Sequence, residues 1–236
     1  MPDFRHRSSE PELMDGDDVT QQQFADCMKD LARVNMLTLA RRPTLAFISR
    51  ALDVSPPGQP LTIVDVGYGA GDMLRAIAGF LVKRGRAARL VGFDINPRSQ
   101  PVAEAMTPPG MAIDFRTGDA MDWPDHEPLD IVISSLVTHH MDDAQIMRFL
   151  RWMEDRAALG WLVNDLHRNW FAYHGFRMLS TAMRWHPFVR HDGPLSILRA
   201  FRREEWAALL QAADMPPSAR VEWWFPFRYC VERRKW

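Results

Sequence analysis

The amino-acid sequence predicts an α/β protein with a mostly parallel sheet covered by helices on both faces. From residue 61 onward, apolar runs of strand length alternate with segments of helical periodicity. The first apolar run leads directly into a glycine-rich turn. Each of the first three runs also ends close to an aspartate, which places three carboxylates at one edge of the predicted sheet.

The individual elements follow from these patterns. Strands are predicted near 61–66, 89–94, 111–116, 129–135, 158–165, 219–225 and 228–234. Helices are predicted near 71–84, 99–106, 142–157 and 203–213. The seven strands are enough for one sheet, and no internal repeat interrupts their order.

Two regions lie outside this alternation. Residues 1–18 are polar and are expected to be loosely ordered, while 20–52 has apolar residues at helical spacing and ends at the Pro-rich segment 55–60. We therefore predict an N-terminal helical cap over 1–55 and a main domain over 56–236. Within that domain, the long insert at about 170–202 is expected to form a lid over the substrate.

Composition limits the classes of function. The chain has 236 residues, and its 29 basic and 30 acidic side chains nearly cancel, so nothing global indicates binding to nucleic acid. The two cysteines, Cys27 and Cys230, are far apart, which indicates free thiols in a reducing cytoplasm and no metal site. No apolar run is long enough to span a membrane, so a cytoplasmic location is expected.

The most informative stretch is Val64–Asp72, which reads VDVGYGAGD. Gly67, Gly69 and Gly71 allow the backbone to turn sharply against a ligand, and the helix that follows points its free N–H groups at that ligand. Dinucleotide sites prefer the spacing G-x-G-x-x-G, whereas here the glycines alternate. Read on their own, the glycines also fit a tight turn with no ligand.

This loop resembles the cofactor loop of class I S-adenosylmethionine (SAM) methyltransferases. The resemblance implies a Rossmann-like, seven-stranded class I methyltransferase fold, with Asp94 on the ribose diol and Asp119 on the adenine amino group. Tyr68 departs from the Gly, Cys or Ser common at its position. The expected cofactor-binding residues are Asp65, Gly67, Tyr68, Gly69, Gly71, Asp94, Ile95, Asn96, Gly118, Asp119, Ala120, Ser135, Leu136 and Arg33.

Two adjacent histidines follow the fourth predicted strand. His139 and His140 should face the ligand crevice at the carboxyl end of that strand. The pattern resembles that of aromatic O-methyltransferases, in which a His-x-x-x-Asp run carries the general base. The resemblance places the base at His139, followed by Asp143, with a one-residue slip to His140 left open. The alternative is that one histidine bonds a loop and the other only lines the pocket.

A second polar cluster follows the fifth predicted strand. His167 is a further catalytic candidate there, and Asp165 either orients His167 or pairs with Arg168. The lid insert is rich in aromatic residues, which indicates a hydrophobic or aromatic acceptor, although amphipathic helices carry such stripes merely to dock on a sheet. The expected substrate-binding residues are Arg168, Trp170, Tyr173, His174, Met178 and Trp185.

The whole chain resembles bacterial class I SAM methyltransferases of similar length that act on small molecules, some of them in secondary metabolism. The segments that carry this resemblance are Asp30–Asn35, Gly71–Arg75, Ser134–Leu136, His139–His140, Asn164–Arg168 and His191–Pro194.

The resemblance implies O-methylation of a phenolic, enolic or polyketide-like acceptor, with S-adenosylhomocysteine (SAH) as product. C-methylation of a quinone or aromatic ring and a non-catalytic SAM-binding regulator are the alternatives. A homodimer is left open, and nucleic acid is not expected as a partner.

Overall fold

A computed structural model describes residues 2–236, and it contains one seven-stranded sheet. The strands are β1 (Leu61–Val66), β2 (Ala88–Asp94), β3 (Asp114–Thr117), β4 (Ile131–Ser135), β5 (Gly160–Leu166), β6 (Arg220–Trp224) and β7 (Arg228–Arg234). Their spatial order is β3-β2-β1-β4-β5-β7-β6. The strands β1 to β5 run parallel, and β7 pairs antiparallel with both β5 and β6. The predicted Rossmann-like class I methyltransferase sheet is confirmed.

Eight α-helices accompany the sheet within residues 2–236. They are α1 (Gln21–Leu37), α2 (Arg41–Val54), α3 (Asp72–Lys83), α4 (Ser99–Ala105), α5 (Asp143–Arg156), α6 (Trp170–Ala182), α7 (Pro187–Arg199) and α8 (Arg203–Ala212). The single helical region predicted over 20–52 is two helices, because the chain turns at Leu39, whose φ is 56°. The insert is also helical: α6 begins at the Asn169 cap and α7 at the His186 cap.

The core lies in two layers because side chains alternate across each strand. Ile63 and Ile133 face the layer that α2 and α3 cover, where Phe47 and Leu74 are fully buried. Val64 lies on the opposite face, in the layer covered by α5 and α8. Both faces of the sheet are therefore covered and shielded from water, which explains why the central strands are continuous apolar runs in the sequence.

The N-terminal segment differs from the expectation of a loosely ordered tail. The Ser8 N–H donates to the Leu198 carbonyl oxygen at 3.1 Å, and the N–H groups of Leu13 and Met14 donate to the Asp192 carboxylate at 2.9 and 3.0 Å. Hydrogen bonds to distant polar groups attach this segment to α7. Such bonds leave no apolar periodicity in the sequence, so the sequence does not predict that the segment is ordered. The division into a cap and a main domain at residue 55 stays a prediction.

A helix that crosses a membrane must be both long and apolar. Across residues 2–236, no helix combines the length and the apolar character that crossing a membrane requires.

A matched pair of truncations on α3 tests the described packing. Leu74 is 0% exposed, whereas Val82 on the same helix is 80% exposed. Leu74→Ala should lower the free energy of unfolding by about 2–5 kcal/mol, because it removes buried methyl groups and leaves a cavity. Val82→Ala should change it by less than about 0.5 kcal/mol. Urea denaturation followed by circular dichroism measures both, and equal costs would contradict the assigned faces of α3.

Candidate functional site

A cavity of about 940 Å³ opens at the carboxyl edge of the parallel strands. Its floor is formed by the turns after β1, β2 and β4, and its walls come from α1, α6, α7 and the N-terminal segment. Ligands of open α/β sheets bind at this edge, where the strand order reverses between β1 and β4.

The glycine turn after β1 forms one end of the cavity. Gly67 has a φ of 75° and Gly71 one of 72°, a backbone region that glycine adopts without strain. A Cβ on Gly67 would lie 2.2 Å from Val137 Cγ2, and one on Gly71 would lie 2.7 Å from the Phe115 ring. Gly67 and Gly69 line the cavity, while Gly71 lies behind them as the residue before α3.

Asp94, at the end of β2, is fixed by backbone donors. Its carboxylate accepts the Gly69 N–H at 2.8 Å and the Asn96 N–H at 2.9 Å. Burial raises the pKa of Asp94 above its ordinary value. The carboxylate lines the cavity beside the glycine turn and can accept hydroxyl donors from a ligand.

Asp65, at the end of β1, is 1% exposed, and its Oδ1 has no hydrogen-bond partner within residues 2–236. Burial, with the neighbouring charges of Asp72 and Asp94, raises its pKa well above its ordinary value. Because a buried, unpaired carboxyl oxygen is costly, the site fits a ligand that brings a donor or a positive charge.

The turns after β2 and β3 complete this end of the cavity. Ile95 is 80% exposed and Met121 is 38% exposed, and both line the cavity, where they offer apolar surface to a flat ring. The other expected cofactor-binding residues that line it are Tyr68, Asn96, Gly118, Asp119, Ala120, Ser135 and Leu136. The Tyr68 ring packs under the turn, 4.9 Å from the Phe115 ring between centroids.

Arg33 was expected at the cofactor, and the structure places it elsewhere. Its guanidinium is 68% exposed and pairs with Asp30 at 3.0 Å, because α1 turns this position toward solvent. Asn35, two residues further along the helix, lines the cavity instead.

The turn after β4 brings His139 to the same cavity, where Asp165 holds its ring. His139 Nδ1 lies 2.7 Å from Asp165 Oδ1, and the Asp165 carboxylate also accepts the His139 backbone N–H at 3.0 Å and the Thr138 hydroxyl. Burial alone would raise the pKa of Asp165, but the His139 interactions and these hydrogen bonds outweigh burial and lower it to about 2. An ionised Asp165 fixes the proton on Nδ1, so Nε2 of the neutral ring is free to accept a proton.

The carboxylate predicted to follow the base, Asp143, plays no part in this pair. It is exposed and pairs with Arg7 at 3.0 Å. The resemblance placed Asp143 after His139, and sequence spacing suggested Asp165 for His167 or Arg168; in the structure, Asp165 holds His139.

Glu12, from the N-terminal segment, faces both histidines. Its Oε1 lies 3.8 Å from His139 Nε2, and its Oε2 lies 3.9 Å from His140 Nε2. Ser196 donates to Glu12 at 2.7 Å, and burial raises the pKa of this carboxyl. These three side chains could also hold a metal ion, because one ligand atom from each lies within 4.8 Å of the others. No local sequence signal singled out Glu12.

His167 and Arg168 do not join the cavity walls described for residues 2–236. The His167 ring packs on Tyr229 at 4.5 Å between centroids. Arg168 is 2% exposed and donates to the Ala200 carbonyl at 2.6 Å, to the Phe4 carbonyl at 3.1 Å and to Glu205 at 2.5 Å. The expectation that Arg168 binds the acceptor is therefore corrected: its donors tie α8 and the N-terminal segment to the end of β5.

The insert contributes to the cavity through a different face of α6 from the one expected. The lining residues of this helix are Phe171, Ala172, Gly175, Phe176 and Leu179, which follow helical spacing. Trp170, Tyr173, His174 and Met178 lie off that face, and Trp185 is buried behind it against Cys27 and Val189. The sequence showed the aromatic residues but not the rotation of the helix.

Comparison with known proteins agrees with this geometry. Residues 63–158 match the family described as "Methyltransferase domain". A trans-aconitate 2-methyltransferase of Streptomyces avermitilis is 29% identical over 183 residues, which cover 74% of this chain and 65% of that protein. One of Streptomyces coelicolor is 29% identical, over 64% of this chain and 50% of that protein. The chain thus spans less than two thirds of the length of either relative.

Solved structures share the fold at low identity. Plantazolicin methyltransferase BpumL, in complex with a triazolic desmethylPZN analog and SAH, superposes with a TM-score of 0.60 at 16% identity, over 86% of this chain and 76% of that chain. Human N-acetylserotonin methyltransferase in complex with SAM gives 0.62 at 16% identity, over 92% and 56%. Residues 63–158 are thus similar to a methyltransferase domain, and the chain shares the fold of solved methyltransferases that hold SAM or SAH.

Removing the carboxylate of Asp165 tests the pair with His139. Because its pKa of about 2 lies below the ordinary 3.8, ionised Asp165 stabilises the fold above pH 3.8, and this stabilisation is lost as the pH falls toward 2. Asp165→Asn should therefore lower the free energy of unfolding at pH 7 by about 2 kcal/mol. Asp143→Asn, on the exposed carboxylate, is the control and should cost less than about 1 kcal/mol. Denaturant titrations between pH 7 and pH 2 should show the gap for Asp165→Asn closing below pH 3.8, and a gap independent of pH would contradict the assignment.

Proposed function

We propose that this chain transfers the methyl group of SAM to an oxygen atom of a hydrophobic small molecule, with His139 as the general base. The observation that carries the proposal is the His139–Asp165 pair, whose histidine lines the same cavity as the glycine turn. The cofactor would occupy the end lined by Asp65 and Asp94. The acceptor would lie between His139 and the apolar face of α6.

The residues around the cofactor end fit each part of SAM. Asp94 can accept hydrogen bonds from both hydroxyls of the ribose, while Ile95 and Met121 offer apolar surface to the adenine ring. The unpaired Oδ1 of Asp65 can accept from the ammonium group of the methionine part. A nearby positive charge also favours the ionised form of a buried carboxyl, so binding would relieve the cost of burying Asp65.

SAM supplies an activated methyl group on its sulfonium, and the chain needs to position the acceptor and to accept a proton. The acceptor oxygen attacks the methyl carbon, the carbon–sulfur bond breaks, and its electron pair stays on sulfur, so SAH leaves. The acceptor proton passes to Nε2 of His139, and Asp165 stabilises the imidazolium that forms. Positioning of the acceptor oxygen against the methyl group would supply much of the remaining rate acceleration.

The cavity wall that α6 contributes indicates the character of the acceptor. Phe171, Phe176 and Leu179 present an apolar face, which supports a phenolic, enolic or polyketide-like molecule. The relatives in Streptomyces are named for trans-aconitate, a polycarboxylate. Glu12 and Asp15 bring acidic groups close to His140, so the histidine end of the cavity disfavours several carboxylates together. C-methylation of an activated ring uses the same cofactor end, and product analysis separates it from O-methylation.

A metal-assisted reaction is the second candidate, and it is favoured by the cluster of Glu12, His139 and His140. A divalent ion there would lower the pKa of an acceptor hydroxyl, and His139 would then be a ligand instead of a base. Asp165 is compatible with this role too, since a carboxylate commonly orients a metal-bound histidine.

Calorimetric titration with SAM and SAH tests the cofactor end. Asp94→Ala should weaken both affinities by about tenfold to a hundredfold, because it removes a charged acceptor worth about 1.5–3 kcal/mol. Asp114→Ala is the matched control. Asp114 is an exposed carboxylate on β3, the strand beside β2, where it pairs with Arg116, and the variant should bind both ligands as the wild type does. A wild-type protein that binds neither ligand would refute the proposal.

Turnover tests the base once mass spectrometry has found a methylated product in a panel of phenols, enols and trans-aconitate. His139→Gln should lower kcat by about 10²–10⁴-fold with little change in SAH affinity, since it removes a proton acceptor only. His167→Gln, outside the cavity walls, should stay near wild type. Activity that disappears with a chelator and returns with zinc or manganese would favour the metal-assisted reaction. SAH binding without any methylated product would favour a non-catalytic regulator.

A further inference from the structure

Arg228, the first residue of β7, is a buried charge in the cavity wall. Its side chain is 2% exposed and lines the cavity together with Thr38, Leu166 and Phe227. A guanidinium carries five N–H donors and stays charged in proteins. Such a group is normally buried only with a carboxylate beside it.

The hydrogen bonds of Arg228 leave most of these donors unused. Its Nη2 donates to the Thr38 hydroxyl at 3.3 Å. Its Nε and Nη1 have no partner among the groups of residues 2–236, and no carboxylate of that range lies within ion-pair distance of it. Nε and Nη1 lie on different edges of the planar guanidinium, and each edge is completed by one N–H of Nη2. Because Thr38 takes only one of the two Nη2 donors, one edge remains for a carboxylate that binds through both of its oxygens.

The register of the sheet explains why no side chain of the fold supplies this carboxylate. Arg228 pairs with Leu166, while Asp165 pairs with Tyr229. Side chains of paired residues point to the same face, and successive residues point to opposite faces. The nearest carboxylate along β5 therefore serves His139 on the other face of the strand.

We propose that Arg228 binds a carboxylate of a molecule held in the cavity. The proposal rests on the proposed function, which supplies two sources of this group: the methionine part of SAM, or an acid group on the acceptor. The bound carboxylate would take one edge of the guanidinium, through Nη2 together with Nε or Nη1, and the apolar residues around it would exclude water from the pair.

Binding measurements on Arg228→Gln separate the two sources. SAH and 5′-methylthioadenosine share the adenosine part, but only SAH carries the amino-acid carboxylate. Loss of SAH affinity by about tenfold or more, with 5′-methylthioadenosine unchanged, would support the cofactor carboxylate as the partner. Unchanged SAH affinity, with a similar loss for 4-hydroxycinnamate but not for its methyl ester in the presence of SAH, would support an acceptor carboxylate.

Two further variants make the result specific to the guanidinium. Arg228→Lys keeps the charge but loses the fork, so it should retain only part of the affinity. Arg220→Gln makes the same chemical change at an exposed position of β6 and should bind every ligand as the wild type does.

Thermal unfolding without ligand distinguishes binding from a structural role. If the free donors of Arg228 serve to bind a ligand, Arg228→Gln should melt at or above the wild-type temperature, because the variant no longer buries an unpaired charge. The proposal is overturned if the variant binds SAH and 4-hydroxycinnamate as the wild type does, including the case in which neither protein binds 4-hydroxycinnamate. Failure of the proposed function would show earlier, as a wild-type protein that does not bind SAH.

Discussion

The site depends on one buried carboxylate, Asp165, at the end of a central strand. It is 0% exposed, so leaving its charge without donors would cost several kcal/mol. Its donors all come from nearby backbone and from the turn after β4: the Leu166 N–H, the His139 N–H, the Thr138 hydroxyl and the His139 ring. Satisfying this carboxylate therefore fixes the turn after β4 and the direction in which His139 Nε2 points.

The turn after β4 also forms hydrogen bonds with the segments that close the cavity. The His139 carbonyl accepts from Arg199 Nε at 3.2 Å, at the end of α7, and Arg7 donates to the Met141 carbonyl at 2.8 Å. Asp192, on α7, holds the backbone of the N-terminal segment by two N–H groups. Glu12 is thereby carried to a position opposite His139. Three distant stretches of sequence meet at one imidazole because each satisfies polar groups of the next.

The sequence predicted those features that rest on local physics. Strand positions, the glycine turn and the aspartate after β2 follow from apolar runs, from backbone freedom and from the common edge of parallel strands. The partner of Asp165 could not be predicted from the sequence, because the hydrogen bond to His139 joins residues 26 positions apart. The rotation of α6 was equally hidden, because its aromatic residues lie on several faces and only packing selects Phe171 and Phe176. The N-terminal segment is attached by hydrogen bonds to distant groups, which leave no periodic pattern.

Strand register places the charges of Asp165 and Arg228 on opposite faces of the sheet. A shift of one residue between β5 and β7 would bring Arg228 onto the face of Asp165, and the two would pair. The paired carboxylate would then share its charge between the guanidinium and the imidazole, and His139 would lose part of the stabilisation that its protonated form needs. In the actual register, His139 is the only ionisable side chain that bonds Asp165, and Arg228 keeps its remaining donors for a ligand. The antiparallel pairing of β7 with β5 therefore matters for chemistry as well as for closing the sheet, because it assigns the negative charge to the base and leaves the positive charge facing the cavity.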